Sequence, residues 1–249
     1  MSLSGLAQAV SPKWSRPVNL RGRLGVALHS PALRVRLAIA LSAAGMAIAL
    51  VPAPAAAQSS EGCRATGSRT VVATNQGRIF TIRDRLAGRP VTFYFGCLYR
   101  VNRAFALGRD FQGRTFTDTL RHARLAGPYA GYAVTSTVEQ PCGSAAEVRV
   151  KDLRTGRMEQ RAPGAAQSGP ERITDLELKP NSSVAWIATT CVPAGPGRDE
   201  VRAIDGDGRR TLDTGVDGAA DDVQGASLAL SGSTLYWTKG GAAVTARLR

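Results

Sequence analysis

An internal repeat of about 50 residues is the feature that most constrains the fold of this chain. Residues 147–157 recur as residues 200–209, with a shift of 53 residues that slips to 52 across a turn. Three aromatic residues follow a similar spacing, because Tyr132, Trp186 and Trp237 lie 54 and 51 residues apart. Self-similarity at this period is typical of propellers and other arrays that use one supersecondary unit several times. We interpret the three aromatic residues as core anchors of successive units.

The sequence of each unit predicts β-strands. Val148 and Val150 alternate with charged residues, which is the period-two pattern of a half-buried strand. Residues 153–156 end in a glycine and residues 205–208 alternate aspartate with glycine, and both patterns are typical of tight turns. Between residue 58 and the C-terminus no window of twelve residues has a convincing helical stripe. Strands separated by turn signals at this spacing predict an all-β domain.

Residues 176–186 and 201–208 resemble the WD-like β-propeller repeat, which occurs in the periplasmic Tol-system propeller protein and in many secreted bacterial proteins. That repeat runs from an apolar strand through an S-P-D-G turn to an aromatic strand, and then to a strand that ends in a D-x-x-G turn. This chain keeps Pro180 and the second turn, but it has Asn181 and Ser182 where Asp-Gly is usual. The whole chain is also similar to exported actinobacterial proteins with the same cysteine and repeat layout.

The resemblance covers residues 120–249 well and residues 63–108 loosely. It implies a small β-propeller-like array of about four units after an N-terminal signal helix, and a binding scaffold rather than a reaction. An incomplete or sandwich-like arrangement of the same units is the alternative.

Cysteine usage predicts disulfides. The chain has four cysteines, all of which follow residue 57: Cys63, Cys97, Cys142 and Cys191. An even count in an exported chain favours two disulfides, and four cysteines allow three pairings. The resemblance implies the pairs Cys63–Cys97, which bracket the first unit, and Cys142–Cys191, which lie in the connections of neighbouring units. A zinc site is not expected, because there is no C-x-x-C pair and His122 is the only histidine after residue 57.

The N-terminal 57 residues predict an export signal. They contain six Lys or Arg residues and no acidic residue, and an apolar run from residue 37 to residue 51 leads into an alanine-rich end. This order describes a secretory signal peptide. The small side chains of Ala55 and Ala57 place the cut after Ala57, which leaves Gln58 as the new N-terminus. Residues 37–57 carry no charge, so an uncleaved membrane anchor is the alternative.

Charge indicates which partners the domain of residues 58–249 would meet. Without the signal segment, 26 of the 32 basic residues and all 19 acidic residues remain, so the net charge is +7. The arginines are scattered singly and do not alternate with aromatic residues, which makes nucleic acid an unexpected partner. We interpret this charge as an ordinary solvated surface, and attraction to an anionic cell-envelope polymer is the alternative; another exported protein is a further candidate partner. A membrane is a partner only if the signal stays uncut.

The sequence gives no catalytic, metal-binding or cofactor-binding residue. Nucleophilic hydrolysis needs a base beside the nucleophile, and His122 stands alone. The acidic residues Asp205 and Asp207 fit a hairpin turn better than a calcium loop. Three further aspartates, Asp217, Asp221 and Asp222, fit a solvated loop better than a cation site.

The function favoured by these patterns is a secreted, non-catalytic binding or interaction module, located outside the cell or in its envelope. An extracellular carbohydrate-active hydrolase or lyase on the same scaffold is the first alternative. A membrane-anchored interaction module is the second.

Overall fold

The computed structural model describes residues 62–138, 143–165, 171–192 and 195–249. The predicted signal helix, the cleavage site at Ala55, Ala57 and Gln58, and Cys142 lie outside the described residues. No helix among the described residues is both long enough and apolar enough to cross a membrane.

The described chain is built from β-strands and contains a single short 3-10 turn, Gly62–Arg64. The strands in chain order are β1 (Arg69–Ala73), β2 (Gly77–Leu86), β3 (Arg89–Leu98), β4 (Arg103–Gln112), β5 (Phe116–Ala126), β6 (Tyr129–Val138), β7 (Ser144–Asp152), β8 (Met158–Pro163), β9 (Glu171–Leu178), β10 (Val184–Thr190), β11 (Arg198–Asp205), β12 (Gly208–Val216), β13 (Ala229–Ser231), β14 (Thr234–Lys239) and β15 (Ala242–Arg247). All pairings between neighbouring strands are antiparallel. The all-β prediction is confirmed.

The strands form three sheets, of eight (β1 to β8), four (β9 to β12) and three strands (β13 to β15). The pairing between β4 and β5, in the middle of the eight-stranded sheet, is short. It consists of two residue pairs, Phe111 with Asp118 and Gln112 with Thr117. We therefore describe four strand groups: β1–β4, β5–β8, β9–β12 and β13–β15. The sequence-based expectation of four separate units differs from this sheet order, since the first two groups share one continuous sheet.

Hydrophobic clusters lie between consecutive strand groups. One cluster joins the first group to the second and contains Ile79 and Tyr132. Another joins the second to the third through Val148 and Trp186, and a further one joins the third to the fourth through Val201 and Trp237. No hydrophobic cluster among the described residues contains members of both the fourth and the first group. Each group thus buries one apolar face against the next, which removes that surface from water.

The first strand group carries an additional cluster on its other side. Cys63 and Cys97 form a disulfide with a Cα–Cα distance of 5.5 Å, so this predicted pair is present. Both half-cystines are buried beside Phe80, and Phe95 stacks on Phe80 with ring centroids 5.6 Å apart. Cys191 is also disulfide-bonded, but its predicted partner Cys142 lies outside the described residues, so that pairing stays a prediction.

Candidate functional site: two clefts that share Tyr99

Hairpin turns gather at one end of the first two strand groups. Because successive strands are antiparallel, the connections β1–β2, β3–β4, β5–β6 and β7–β8 all lie at the same end of the eight-stranded sheet. We call this end the turn face and define it by residues 74–76, 99–102, 127–128 and 153–157. Loops at the end of a rigid sheet are common positions for binding residues.

Backbone hydrogen bonds hold neighbouring turns of this face together. The N–H of Tyr99 donates to the carbonyl oxygen of Gln76 at 2.9 Å, which links the β3–β4 turn to the β1–β2 turn. In the same way the N–H of Leu153 donates to the carbonyl oxygen of Pro128 at 2.9 Å. These bonds tie the four turns into two linked pairs.

Two clefts open on the turn face and share Tyr99. The described residues that line the larger cleft, of about 580 Å³, are Cys63, Arg64, Tyr99 and Asn102. The smaller cleft, of about 480 Å³, is lined by Asn75, Gln76, Leu98, Tyr99, Arg100, Pro128 and Arg154. Both volumes lie in the range of ligand sites. The described linings contain cations, carboxamides and an aromatic ring, and no Asp or Glu.

The position of Tyr99 is fixed by the turn that carries it. The side chain is 45% exposed, while the backbone is held by the bond to Gln76 and by the following turn, in which Asn102 adopts a left-handed conformation with φ of 48°. Asn102 Oδ1 accepts a hydrogen bond from the N–H of Cys63 at 3.0 Å. Gly62 approaches Asn102 so closely that a Cβ at Gly62 would overlap it. The disulfide segment therefore lies against the Tyr99 turn.

Arg154 is oriented by two neighbours. Its Nε donates to Asp152 Oδ1 at 3.0 Å, and its Nη2 donates to Asp152 Oδ2 at 2.7 Å and to the hydroxyl of Tyr129 at 3.1 Å. The guanidinium also lies 5.5 Å from the centre of the Tyr129 ring. Hydrogen bonding to Asp152 raises the pKa of Arg154 above its usual value, and the same bonds lower the pKa of Asp152. Nη1 makes no hydrogen bond to the described residues, so it remains available to a ligand.

Arg64 and Arg100 line the clefts without such partners. Both side chains are exposed, and neither forms a salt bridge or hydrogen bond with any residue that the structure describes. Guanidinium groups bind carboxylates and phosphates through two parallel hydrogen bonds. With Asp152 neutralised by Arg154, the two clefts present an excess of positive charge to solvent.

An acidic cluster lies away from the turn face. Single carboxylate oxygens of Asp199, Asp217 and Asp222 all lie within 4.8 Å of one another. Burial, together with the proximity of Asp222 and Asp217, raises the pKa of Asp199 to about 6, although Thr189 Oγ1 donates a hydrogen bond to Asp199 Oδ1 at 2.6 Å. The carboxylates have the chemistry that a hard cation such as Ca²⁺ prefers. None of them lines either turn-face cleft among the residues described.

The three aromatic anchors occupy equivalent positions. Tyr132, Trp186 and Trp237 lie in β6, β10 and β14, the second strands of their groups, and each is buried against the preceding group. The indole N–H of Trp186 donates to the carbonyl oxygen of Gly164. Trp237 donates to Asp213 Oδ2 at 2.9 Å. Their rings are packed in the core and are not available to a ligand.

His122 lies within β5, not in a loop. Its φ of 52° coincides with the register shift between Arg121 and Arg124 in the β5–β6 pairing, which is a β-bulge. Burial lowers the pKa of His122 below its usual value. The side chain is absent from the described linings of both clefts.

The aspartates that the sequence analysis weighed as cation ligands lie in different places: some form a hairpin turn and others belong to the acidic cluster. Asp205 and Asp207 belong to the β11–β12 hairpin, where the N–H of Asp207 donates to Asp205 Oδ1 at 3.0 Å. Asp217 and Asp222 come together with Asp199, and Asp221 is not part of the cluster. Sequence reasoning missed Asp199, which stands in a strand 18 residues before Asp217.

Sequence reasoning also missed the cleft residues. Arg64, Tyr99, Arg100 and Arg154 are scattered over about 90 residues and form no motif. The one available signal is that Arg154 lies in the predicted turn of residues 153–156, since connections converge in repeat folds.

No protein-family model matches the sequence, and no curated protein matches it at a significant level. The function is therefore inferred from the fold and from the chemistry of the site.

Proposed function

We propose that this protein is an exported, non-catalytic binding module with a small propeller-like scaffold, and that its ligand lies on the turn face. The observation that carries the proposal is the pair of clefts that share Tyr99. They offer an exposed ring, guanidinium groups and carboxamides, which are the groups that orient a polar ligand. They offer no described group suited to proton transfer.

The arrangement of the strand groups supports the propeller-like scaffold. Val148 and Val201, the matched positions of the repeat, lie in the third strands of their groups and are both buried against the following group. Such radial or stacked repetition leaves connections at the ends of the sheets, and ligands bind there in propellers. The Cys63–Cys97 disulfide fits an oxidising compartment and so supports the export signal.

The chemistry of the cleft supports binding rather than catalysis. Acid–base catalysis requires a group whose pKa lies near the working pH, and a nucleophile requires an adjacent base. The sulfur of Cys63 is held in the disulfide, and the hydroxyl of Tyr99 has no hydrogen-bonding partner that would activate it among the described residues. The guanidiniums stay charged at every physiological pH.

A carbohydrate-active enzyme is the second candidate, and Asp199 is the observation that favours it. A buried carboxyl group with a pKa of about 6 is suited to donate a proton to a leaving group. We expect no hydrolysis or cleavage of a panel of polysaccharides by the wild-type protein. Product formation that is lost in Asp199→Asn, with the fold retained, would replace the binding proposal with the enzymatic one.

The binding proposal is tested with the purified protein secreted by its bacterial host. N-terminal sequencing should begin at Gln58, whereas an intact residue 1 or a membrane-associated product would support the anchored alternative. Binding to immobilised polysaccharides should be weakened in Tyr99→Ala. The matched control is Tyr236→Ala, because Tyr236 is also an exposed tyrosine but lies on β14, in the fourth strand group. Equal binding by both variants would remove the turn face from the proposal.

A further inference from the structure

We infer that the ligand of the turn face is an anionic polysaccharide, whose chain crosses Tyr99 and whose acidic groups bind Arg64, Arg100 and Arg154. This inference rests on the proposed binding function and names its ligand class. It depends on the residue that the two clefts share, on the hydrogen bonds and ion pairs of the three arginine side chains, and on the exposed ring of Tyr99.

Two clefts on either side of one residue favour a polymer over a small molecule as the ligand. Tyr99 lines both of them, so an extended chain that occupied both clefts would run past Tyr99. Arg64 lines the cleft on one side, and Arg100 and Arg154 line the cleft on the other. A chain with an acidic group on successive units would therefore meet a cation on each side of the ring.

The three arginine side chains of the clefts are able to bind carboxylate or phosphate groups. Arg154 is held by Asp152 and Tyr129, lines the smaller cleft, and has one guanidinium nitrogen, Nη1, without a described protein partner. Arg64 and Arg100 are exposed and form no ion pair with the described residues, so a ligand does not have to displace a carboxylate. Carboxylates and phosphates both match the fork of donors on a guanidinium. The inference covers polymers that carry either group.

The remaining lining residues suit sugar units. An exposed tyrosine ring offers an apolar face to the C–H groups of a sugar ring, and its polar tip stays in water. Asn75 and Gln76 stand beside it with exposed carboxamides, which donate to and accept from hydroxyl groups. Single-stranded nucleic acid would use several aromatic rings in succession, and the described linings contain only one.

The experiment measures the affinity of the purified, oxidised protein for four polymers by biolayer interferometry. Polygalacturonate supplies carboxylates, a phosphomannan supplies phosphates, dextran is the neutral control, and oligo-dT represents nucleic acid. We expect binding to one or both anionic polysaccharides, no measurable binding to dextran, and affinity that falls as salt increases. Tighter binding to oligo-dT than to either polysaccharide would overturn the inference in favour of nucleic acid.

Variants locate the ligand. Arg64→Gln and Arg100→Gln should each weaken binding roughly fivefold and Tyr99→Ala roughly tenfold, because each removes one charge-assisted or stacking contact. The matched control Arg114→Gln removes an exposed arginine from the β4–β5 connection, at the opposite end of the sheet, and should change affinity by less than about twofold. Thermal melts establish that each variant retains its fold.

The outcomes separate the inference from the function on which it rests. Equal affinity for dextran and the anionic polymers, still lost in Tyr99→Ala, would overturn the anionic class and leave the binding module in place. Equal losses in Arg64→Gln and Arg114→Gln would mean that diffuse charge, not the clefts, attracts the polymer, and would also overturn the inference. No binding to any of the four polymers would overturn the inference and would count against the proposed function as well.

Discussion

Replacing Asp199 with asparagine should make the protein more stable at neutral pH. Asp199 is only 4% exposed, and burial together with Asp222 and Asp217 raises its pKa from 3.8 to about 6. In the unfolded chain the same group titrates near its ordinary value, at about 3.9. Folding therefore favours the protonated acid. Protonated Asp199 therefore contributes to the free energy of unfolding. This contribution is complete at pH values below the pKa of the unfolded chain and is lost as the pH rises through the pKa of the folded protein.

The size of this effect follows from the two pKa values. A difference of about two pKa units corresponds to about 3 kcal/mol, since each unit is worth about 1.4 kcal/mol. This is an upper limit, because the loop that carries Asp217 and Asp222 can relax when the charges repel. Asparagine cannot ionise, but its Oδ1 still accepts the hydrogen bond from Thr189. The variant therefore keeps the contact and loses the charge.

Urea denaturation at two pH values measures the effect. We expect Asp199→Asn to exceed the wild type in free energy of unfolding by roughly 2–3 kcal/mol at pH 7.5 and by less than about 1 kcal/mol at pH 4. EDTA in all buffers prevents divalent cations from neutralising the acidic cluster. The control is Asp221→Asn, since Asp221 is exposed in the same loop and lies outside the cluster. The reasoning is refuted if the stability difference does not grow between pH 4 and pH 7.5, or if the control reproduces it.

Three further changes test other parts of the structure. Trp186→Ala should reduce the free energy of unfolding by about 3–5 kcal/mol in urea titrations, because it empties a fully buried site between two strand groups; a loss below about 1 kcal/mol would contradict its role as an anchor. Replacing Cys63 and Cys97 together with serine opens a link across a sequence separation of 34 and should cost about 4 kcal/mol by the chain-entropy relation, measured by the same titration; an unchanged midpoint would contradict this. Gly62→Ala should lower the affinity for the polysaccharide while a thermal melt still shows a folded protein, because the added Cβ displaces Asn102 at the larger cleft. Unchanged affinity would argue against the cleft as the binding site.

The sequence predicted the features that depend on a repeated apolar pattern. Tyr132, Trp186 and Trp237 could be picked out by their spacing along the chain, and each lies buried in the second strand of its strand group. The pair Cys63–Cys97 followed from the resemblance, which placed both residues at the ends of one unit. Each of these features depends on residues of one unit and its position in the array, so the spacing of residues along the chain is enough to predict it.

Features that depend on long-range placement were not predictable in this way. The junction of β4 and β5 rests on two residue pairs, which leave no hydrophobic pattern to identify one continuous sheet. Asp199 joins Asp217 and Asp222 because the β11–β12 hairpin returns the chain to the same end of the sheet. No periodicity connects these residues. The same holds for the arginines of the two clefts, since Arg64 lies in the 3-10 turn before β1 while Arg100 and Arg154 lie in two different strand connections.

The disulfide between Cys63 and Cys97 has a consequence for how the protein is produced. Arg64 is adjacent to one half of this bridge, and the N–H of Cys63 is bonded to the turn that carries Tyr99. A chain made in a reducing compartment would have nothing covalent to keep residues 62–64 at that position. Recombinant material from an ordinary bacterial cytosol would then lack the link that holds Arg64 beside the Tyr99 turn, whereas periplasmic or oxidatively refolded material would keep it.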